Sequence, residues 1–308
     1  MPFFSVIITV FNKENFILDT LKSVCSQTFT DFEILIIDDG STDSSIIEIS
    51  KIKDSRIKLF SISNAGVSNA RNYGVEKSIG AYCAFIDGDD LWENHHLLEM
   101  EKLIDKFSNH YVFSCASRLQ NKKGLENLFY AVENISQQTL DYFQASLKSS
   151  VLHPSSFVIK KEIFSKTEGF STKYSNGEDI EYWFRLGLKF PIAFSQTPGV
   201  LIREVNNSLS KQKYNPDNYC YFEDFEHLKT ENKYFYKVLD NNLFSAALLC
   251  KENNYKKEYL LLKSRINSRK NLSLKQQIIL KLPSFFIKIL RKTKSFLNHR
   301  GILFTIYG

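Results

Sequence analysis

The stretch Phe85-Ile86-Asp87-Gly88-Asp89-Asp90 decides the fold that we expect for this chain. With the preceding Tyr82–Ala84 it forms an apolar run that is typical of a buried strand. The run ends in three carboxylates within four positions, although aspartate disfavours strands and charged side chains are rarely buried without a partner. A strand therefore leaves the core at an acidic edge. In open α/β sheets, ligands bind outside the carboxyl ends of the strands.

The acidic edge offers hard oxygen donors. Carboxylates suit Mg²⁺ or Mn²⁺, and such cations usually share their coordination shell with substrate phosphates. Residues two apart on an extended segment face the same side, which would place Asp87 beside Asp89. A solvated turn in which an aspartate caps the next helix is the simpler alternative. We expect Asp90 to cap a helix that begins near Asn94.

Apolar, strand-like runs alternate with helix-like segments over the first hundred residues. The predicted strands are Ser5–Val10, Phe32–Ile37, Ile57–Ser61 and Tyr82–Ile86, and the predicted helices include Asn15–Cys25 and Ser68–Lys77. This alternation predicts an α/β fold with a mainly parallel sheet covered on both faces. Polar clusters follow three of the strands, at Asn12–Glu14, Asp38–Gly40 and Asp87–Asp90. Further along, strand-like pieces occur at Ser156–Lys160 and Gly199–Ile202, and helices are predicted at Tyr234–Lys251, Tyr255–Ile266 and Leu274–Leu297.

Composition excludes several classes of protein. The hydrophobic content of 43% is that of a globular protein. No stretch approaches the roughly 18 apolar residues that span a bilayer. The five cysteines are scattered, with no Cys-x-x-Cys pair, so neither a zinc site nor a disulfide framework is indicated. Met1–Ser5 lacks the basic segment and cleavage site of a secretory signal, and we therefore expect a cytoplasmic protein.

Five short elements stand in a characteristic order along the chain. They are Ser5–Asn12, Ile37–Asp43, Asn64–Asn72, Phe85–Asp90 and Gly177–Asp179. Together they resemble the family 2 glycosyltransferases, strongly over Phe3–Leu103 and more weakly to Ser210. The resemblance implies an inverting, nucleotide-sugar-dependent enzyme with the Rossmann-like type A glycosyltransferase fold. A dinucleotide-binding fold is disfavoured because no G-x-G-x-x-G follows the first strand.

The resemblance assigns the donor side of the site. It places at the nucleotide the residues Thr9, Phe11, Glu14, Asp39, Arg71 and Asp87. Phe11 would lie against the base, and Asp39 would accept a hydrogen bond from the base imide. Arg71 would offer its forked donors to a base carbonyl or to phosphate oxygens. The structural alternatives are a core position for Phe11, a turn cap for Asp39 and a surface position on a helix for Arg71.

The resemblance also assigns the chemistry. Asp87 would hold the ribose and share with Asp89 the binding of Mg²⁺ or Mn²⁺, which would neutralise the leaving diphosphate. Asp179 would be the general base that takes the proton of the acceptor hydroxyl, and Glu178 would exchange roles with it or bind acceptor hydroxyls. The alternative for Asp179 is an N-cap of the predicted helix Ile180–Lys189.

The sequence departs from the family pattern in two places. Thr9 stands where the family often has proline. Many relatives also carry an Arg-x-His-x-x-Ser segment whose histidine completes the metal shell, whereas Arg203–Ser208 has Val205 at that position. A third protein ligand for the metal is therefore not expected. His153 either contributes to the acceptor region or only shapes its loop.

Charge is unevenly distributed along the 308 residues, whose net charge is +6. From Lys251 to the end there are 14 basic and 2 acidic residues, whereas the rest of the chain has 26 basic and 32 acidic residues. Such asymmetry predicts an anionic partner, either nucleic acid or a membrane surface. Between Leu274 and Arg300 the basic residues alternate with apolar residues at helical spacing, namely Ile279, Leu282, Phe286, Ile289, Leu290 and Phe296.

This pattern predicts a helix that lies on an anionic bilayer. A helix packed on the catalytic domain, with its basic face solvated, is the alternative. The resemblance favours the membrane, because many relatives act on lipid-linked acceptors at the cytoplasmic face, and no nucleic-acid partner is expected.

We therefore expect a catalytic domain over residues 1–214, with a nucleotide-binding half at 1–110 and an acceptor half at 111–214, and a helical basic region over 215–308. The expected activity is transfer of a hexosyl or N-acetylhexosaminyl group from a UDP-sugar to a growing, lipid-linked surface glycan, as in lipopolysaccharide or capsule assembly. The protein would be peripheral on the inner face of the cell membrane. The alternatives are a nucleotidyltransferase and a non-catalytic nucleotide-binding protein at the membrane.

Overall fold

The computed structural model describes residues 1–121, 124–205 and 215–289. Contacts between Cα atoms divide the chain into two compact units, Met1–Ser208 and Leu209–Gly308. The assignment of catalysis to residues 1–214 and of a partner surface to 215–308 remains a prediction, because compactness does not assign activity.

Ten strands of the described residues form one sheet in the first unit. They are β1 (Phe4–Val10), β2 (Phe32–Asp38), β3 (Ile57–Ser61), β4 (Tyr82–Asp87), β5 (Leu91–Trp92), β6 (Val112–Asn121), β7 (Gly124–Asn127), β8 (Gln137–Leu140), β9 (Val158–Lys160) and β10 (Ile192–Arg203). The order along the sheet is β3-β2-β1-β4-β9-β6-β10-β5, with β7 beside β6 and β8 beside β10.

The sheet is mixed and mainly parallel, which confirms the predicted fold class. Strands β3, β2, β1 and β4 run parallel to one another, and so do β6 and β10. The short strand β9 is antiparallel to both of its neighbours, β4 and β6. Every residue of β1 and β2 is buried, as expected for parallel strands covered on both faces. The carboxyl ends of β1, β2 and β4 therefore meet at one edge.

Helices of the first unit connect these strands. They are α1 (Ile17–Cys25), α2 (Ser45–Ser50), α3 (Val67–Lys77), α4 (His96–Lys106), α5 (Tyr142–Ala145), α6 (Lys161–Lys166) and α7 (Glu178–Lys189). In α1, the buried Ile17, Leu21 and Val24 recur at three- and four-residue steps and face the sheet. Helix α3 approaches β1 closely at Gly74, where a Cβ atom would lie 2.4 Å from Cγ2 of Ile7. Glycine at this position therefore lets α3 pack against the sheet.

Strand β10 is much longer than the predicted Gly199–Ile202. It begins at Ile192, and its register against β6 shifts between Ser195 and Val200. Pro198 lies within this irregularity, where it removes no ladder hydrogen bond from a regular pair of strands. The proline and the polar residues before it masked the first half of the strand in the sequence.

The second unit is helical over its described residues. Its helices are α8 (Phe235–Glu252), α9 (Lys256–Arg265), α10 (Ser268–Asn271) and α11 (Leu274–Lys281), followed by a helical segment at 284–289. Pro283 separates the last two, and residues 290–297 of the predicted helix lie outside the described residues. The carbonyl of Leu280 accepts hydrogen bonds from Tyr259 Oη at 2.6 Å and from Lys251 Nζ at 2.7 Å, so α11 is tied to α8 and α9. Among the described helices, none has the length and apolarity needed to cross a bilayer.

Candidate active site

The three predicted polar clusters meet at the carboxyl edge of the sheet. The parallel register sets Thr9 opposite Asp87, and Thr9 Oγ1 donates a hydrogen bond to Asp87 Oδ1 at 3.2 Å. The Gly88 amide donates to the carbonyl of Thr9 at 2.9 Å, which holds the acidic turn against β1. On the other side, the amide of Asn12 donates to Ser41 Oγ at 3.0 Å. One edge therefore carries all three clusters.

Phe11 and Asp39 differ in how exposed their side chains are to a ligand. Phe11 is 37% exposed at the end of β1, so the core alternative is wrong and the ring can meet a ligand. Asp39 is buried, and its two carboxylate oxygens accept the amide hydrogens of Ala65 and Gly66, each at 2.9 Å. The turn-cap role of Asp39 is thus real. It does not exclude a base contact, because each carboxylate oxygen has a second lone pair.

Burial raises the pKa of Asp39, although these two amides oppose the shift. Gly66 has a φ of 92°, a conformation that glycine adopts without strain. Glycine therefore allows the turn in which the Gly66 amide donates to Asp39.

Glu14 joins two loops of the site. Its carboxylate accepts the amide hydrogen of Ser44 at 2.9 Å, and its own amide donates to Asp43 Oδ2 at 3.0 Å. These contacts fix the loop after β1 against the loop after β2. Direct contact between Glu14 and a nucleotide remains a prediction.

Arg71 is buried, which makes the surface-helix alternative wrong. It is 3% exposed on α3, and its Nη2 donates to Asp87 Oδ1 at 2.9 Å. Its Nη1 reaches Glu178 Oε1 at 3.4 Å, and the guanidinium carbon lies 5.0 Å from the centre of the Phe170 ring. The side-chain amide of neighbouring Asn72 donates to the carbonyl of Phe170 at 2.8 Å and accepts the amide hydrogen of Phe170 at 2.9 Å. Helix α3 therefore links the end of β4 to the start of α7.

Burial and neighbouring charges shift the pKa values of Asp87 and Glu178, the two carboxylates that Arg71 contacts. Burial alone would raise the pKa of Asp87, but Arg71, His153 and Lys13 outweigh it and leave the pKa below its ordinary value. Burial and the neighbouring Asp179 raise the pKa of Glu178 to about 7, although Arg71 opposes the shift. Asp87 is therefore ionised at neutral pH, whereas Glu178 is partly protonated.

Asp89 already has a cationic partner. Its carboxylate forms an ion pair with Lys13 Nζ, and the two side chains are 14% and 18% exposed. Among the residues that the structure describes, no three or more His, Cys, Asp or Glu side chains gather closely enough to hold a metal ion. Mg²⁺ is commonly bound through one or two carboxylates together with substrate phosphates and water. Asp87 and Asp89 therefore fit a cation shared with a diphosphate, but not a cage built by protein alone.

Asp90 does not cap a helix, contrary to expectation. Its Oδ2 accepts a hydrogen bond from Ser155 Oγ at 2.5 Å, and its Oδ1 accepts the amide hydrogen of Arg203 at 3.0 Å. Helix α4 begins at His96 without a side-chain cap. Burial, followed by the charges of Asp89 and Asp87, raises the pKa of Asp90 well above its ordinary value. Asp90 is thus a buried structural link between the acidic turn and β10.

Arg203 and Ser155 contact the acidic turn, but the sequence analysis assigned a role to neither, although Arg203 begins the segment compared with the family's Arg-x-His-x-x-Ser. Arg203 Nε donates to the carbonyl of Asp89, and its Nη2 donates to Thr20 Oγ1 at 2.9 Å. Ser155 Oγ also accepts the amide hydrogen of Asp87 at 3.1 Å. The two hydrogen bonds that Asp90 accepts come from residues 65 and 113 positions away in the sequence, so no local sequence pattern predicts them.

Asp179 lies in the first turn of α7 and is not its N-cap. The cap position is Gly177, whose φ is 78°, and Asp179 Oδ1 accepts the amide hydrogen of Ile180 at 2.7 Å. Asp179 is half-buried, whereas Glu178 is buried. The N-cap alternative is therefore wrong.

His153 joins the two sides of the site electrostatically. Its Nδ1 accepts the amide hydrogen of Ser155 at 3.2 Å. Burial lowers the pKa of His153, while Asp87 and Asp179 act to raise it. The imidazole therefore interacts electrostatically with the carboxylates of both Asp87 and Asp179. Val205 is buried at the end of the described segment, and residues 206–210 of the family-like region lie outside the described residues.

A family model described as Glycosyl transferase family 2 matches residues 5–167, which is more than half of the chain. The acidic strand end, the glycine turn before Arg71 and strands β2 to β9 all lie within this match. The chain therefore belongs to glycosyl transferase family 2.

Curated relatives match mainly the first part of the chain. An uncharacterised glycosyltransferase of Rickettsia conorii is 46% identical over 123 residues, covering 39% of this chain and 20% of the relative. The Escherichia coli protein named UDP-Glc:alpha-D-GlcNAc-diphosphoundecaprenol beta-1,3-glucosyltransferase WfaP is 40% identical over 121 residues, covering 36% of this chain and 47% of the relative. The chain thus spans less than half the length of these two relatives. A Haemophilus influenzae glycosyltransferase, also uncharacterised, is 28% identical over 236 residues, covering 69% of this chain and 72% of the relative.

Solved structures match the fold over most of the chain. Staphylococcus aureus TarS residues 1–349, determined in complex with UDP-GlcNAc, aligns with a TM-score of 0.60 at 18% identity. The alignment covers 89% of this chain and 77% of the TarS chain. This likeness supports the type A glycosyltransferase fold that the sequence predicted.

Proposed function

We propose that this protein is an inverting glycosyltransferase that moves a hexosyl or N-acetylhexosaminyl group from a UDP-sugar to a hydroxyl group of a glycan. The observation that carries the proposal is the chain of charges from Asp87 through Arg71 to Glu178. It joins the acidic strand end to the helix start that holds Asp179. Membership of family 2 supports transfer chemistry and argues against a nucleotidyltransferase. The UDP-Glc in the name of the E. coli relative and the UDP-GlcNAc in the TarS complex favour a uridine donor.

The donor side would bind the nucleotide through one aromatic ring and several carboxylates. The half-exposed ring of Phe11 offers a face for the base, and a lone pair of Asp39 can accept the imide hydrogen. Asp87, oriented by Thr9 and Arg71, would accept hydrogen bonds from ribose hydroxyls. Asp89, with Asp87, would hold Mg²⁺ or Mn²⁺, which would neutralise the charge that develops on the departing diphosphate.

Asp179 would act as the general base. It would take the proton of the acceptor hydroxyl as that oxygen bonds to the anomeric carbon, while the bond from this carbon to the diphosphate breaks and its electron pair leaves with the diphosphate. Attack on the face opposite the leaving group inverts the anomeric configuration. Glu178 is buried and held by Arg71, so the half-buried Asp179 is better placed to meet an acceptor.

The acceptor in this proposal is a lipid-linked surface glycan of the lipopolysaccharide or capsule type. Support comes from the name of the E. coli relative, which specifies a sugar on diphosphoundecaprenol. An acceptor with a polyprenyl anchor is presented at a membrane, which requires the protein to work at that surface.

The second unit offers a surface for such a membrane. Leu274 and Ile278 on α11 are 78% and 60% exposed, and Phe285 and Phe286 on the next helical segment are 66% and 51% exposed. The neighbouring lysines Lys275, Lys281 and Lys288 are exposed as well. Exposed aromatic and aliphatic side chains among lysines suit the boundary of an anionic bilayer. We therefore propose that this surface binds a membrane, and that it does so at the inner face.

The exposed face differs from the one expected from the sequence. Ile279, predicted to face the membrane, is 4% exposed and packs within the second unit, whereas its neighbour Ile278 faces outward. Phe286 and Ile289 are exposed as predicted, while Leu290 and Phe296 lie outside the described residues. Helix α11 therefore packs one apolar side chain, Ile279, into the second unit and exposes another, Ile278, on its outer face.

A donor screen tests the proposed activity. The protein would be incubated with Mn²⁺ and with UDP-, GDP- and CMP-linked sugars, and release of the nucleotide would be measured with and without a diphospholipid-linked sugar acceptor. We expect release from one UDP-sugar, stimulated by the acceptor, and a product of inverted anomeric configuration by NMR. Nucleotide release from none of these donors, or retention of configuration, would contradict the proposal. Formation of a nucleotide sugar from a nucleoside triphosphate and a sugar phosphate would instead indicate a nucleotidyltransferase.

Vesicle sedimentation tests the membrane surface. The double variant Phe285→Ser/Phe286→Ser should sediment less than the wild type with phosphatidylglycerol vesicles, because it loses apolar side chains that enter the interface. Ile47→Ser, which alters an exposed apolar residue of the first unit, is the matched control. Equal sedimentation of the wild type with neutral and anionic vesicles, or no sedimentation, would contradict this placement. A truncation after Asn271 is a poorer test, since it removes the buried Ile279 and Leu280.

A further inference from the structure

Lys13 is fixed at the base of its side chain and reaches over the acidic turn. Its amide donates to Ser45 Oγ at 2.7 Å, and its carbonyl accepts the amide hydrogens of Phe16 at 2.8 Å and Ile17 at 2.9 Å. The methylene stem passes Gly88, where a Cβ atom would lie 3.4 Å from Lys13 Cγ and 2.9 Å from the carbonyl of Thr9. This path brings the Lys13 ammonium group into contact with the Asp89 carboxylate.

The ion pair gives Asp89 a resident counter-ion. Both side chains are largely buried, so solvent screens their attraction less than it screens a surface pair. Asp87 is paired in the same way with Arg71. Each carboxylate that would bind a divalent cation is thus already neutralised by a basic side chain. A divalent cation and an ammonium group cannot share one carboxylate without strong repulsion.

A diphosphate changes this balance. It brings several negative charges to the same place, and the flexible four-carbon stem of lysine lets its ammonium group turn toward them. We propose that Lys13 is a tethered cation that neutralises Asp89 before the donor binds and moves to the donor's diphosphate when a divalent cation takes over Asp89. This inference rests on the proposed use of a nucleotide-diphosphate sugar.

Two consequences follow for binding. Lys13 opposes the binding of a divalent cation alone, and it supports the binding of a nucleoside diphosphate. Cation and nucleotide therefore strengthen each other's binding, and the coupling is reciprocal. A residue with a purely structural role would not act on the two ligands in opposite directions.

The test measures Mn²⁺ alone by electron paramagnetic resonance, and UDP alone and UDP with Mn²⁺ by calorimetry. In Lys13→Met, we expect the affinity for Mn²⁺ alone to rise about tenfold and the affinity for UDP without metal to fall about tenfold, the scale of one partly buried charge interaction. Lys13→Arg retains the charge and should behave nearly as the wild type. Lys22→Met, on the exposed face of α1, should change neither affinity.

The outcomes separate this inference from the proposed function. Wild-type binding of UDP with Mn²⁺, combined with unchanged or jointly weakened affinities in Lys13→Met, would overturn the role of Lys13 alone. A wild type that binds neither ligand would overturn both proposals. Thermal melting shows whether Lys13→Met is folded, and Lys13→Gln, which keeps a polar end, takes its place if it is not.

Discussion

Arg71 on α3 and Glu178 at the start of α7 stand 107 positions apart in the sequence, and their side chains meet at 3.4 Å. Arg71 also binds Asp87, so a single buried guanidinium contacts carboxylates from two separate elements. The arginine is 3% exposed, so water reaches little of the guanidinium group that joins the two carboxylates. The acidic strand end and the helix that carries Asp179 are therefore held in a fixed relation.

Removing the charge of Arg71 should destabilise the protein. Arg71→Met keeps much of the stem but leaves Asp87 and Glu178 without their common partner. We expect the free energy of unfolding to fall by about 3–5 kcal/mol, the usual cost of breaking a buried ion pair from one side. Urea denaturation measures it, with Lys77→Met at the half-exposed C-terminal end of the same helix as control. A loss equal to that of the control would show that the link carries no stability.

Glu178 should make stability depend on pH. Its pKa is about 7 in the folded protein against an ordinary 4.5, so the folded state binds more protons between these values. Its contribution is present below the ordinary pKa and is lost as the pH rises through about 7. Between about pH 5 and pH 8, the free energy of unfolding of Glu178→Gln should improve relative to the wild type by up to about 3 kcal/mol. Glu162→Gln, an exposed control, should show no such trend, and a parallel pair of pH profiles would refute the raised pKa.

Asp89 should be indispensable for metal-dependent turnover. Asp89→Ala removes the oxygen donors proposed to hold the cation, so transfer and metal-dependent UDP binding should both be lost. Asp105→Asn, on the exposed side of α4, serves as control. Metal-dependent activity close to that of the wild type would exclude Asp89 as a ligand.

Asp179 should affect turnover more than binding. Asp179→Asn keeps the shape of the side chain but cannot take a proton, and we expect turnover to fall by roughly 10²–10⁴-fold with donor affinity nearly unchanged. Calorimetry with UDP and initial rates at saturating donor separate the two quantities. If donor affinity falls while turnover persists, Asp179 is structural. Loss of turnover in Glu178→Gln, with Asp179→Asn still active, would transfer the role of base to Glu178.

Phe11 should contribute to nucleotide binding and little to stability. Its ring is 37% exposed, so Phe11→Ala should change the free energy of unfolding only slightly, by about 0.5 kcal/mol. Loss of base stacking should weaken UDP affinity by about 1–3 kcal/mol, and Phe11→Tyr should retain it. Phe129→Ala removes another exposed ring and is the control. An unchanged UDP affinity in Phe11→Ala would remove Phe11 from the donor site.

Local patterns were enough to predict the first half of the fold. Strands β1 to β4 were placed within a residue of their observed ends, because continuous apolar runs followed by polar clusters are a local signal of buried parallel strands. Because three of these strands run parallel to one another, the polar clusters that follow them share one edge. Strand β10 was largely missed, since its irregular middle contains proline and polar residues that are typical of loops.

The sequence by itself therefore determined the fold class, the acidic edge of the sheet and the candidate residues Asp87, Asp89 and Asp179. The tertiary structure alone decided their partners. It paired Asp89 with Lys13 and gave Arg71 two carboxylates. It also turned Asp90 from an expected helix cap into a buried link. The physical reason is that burial and charge pairing depend on which distant segments the sheet brings together, and no spacing along the chain records those neighbours.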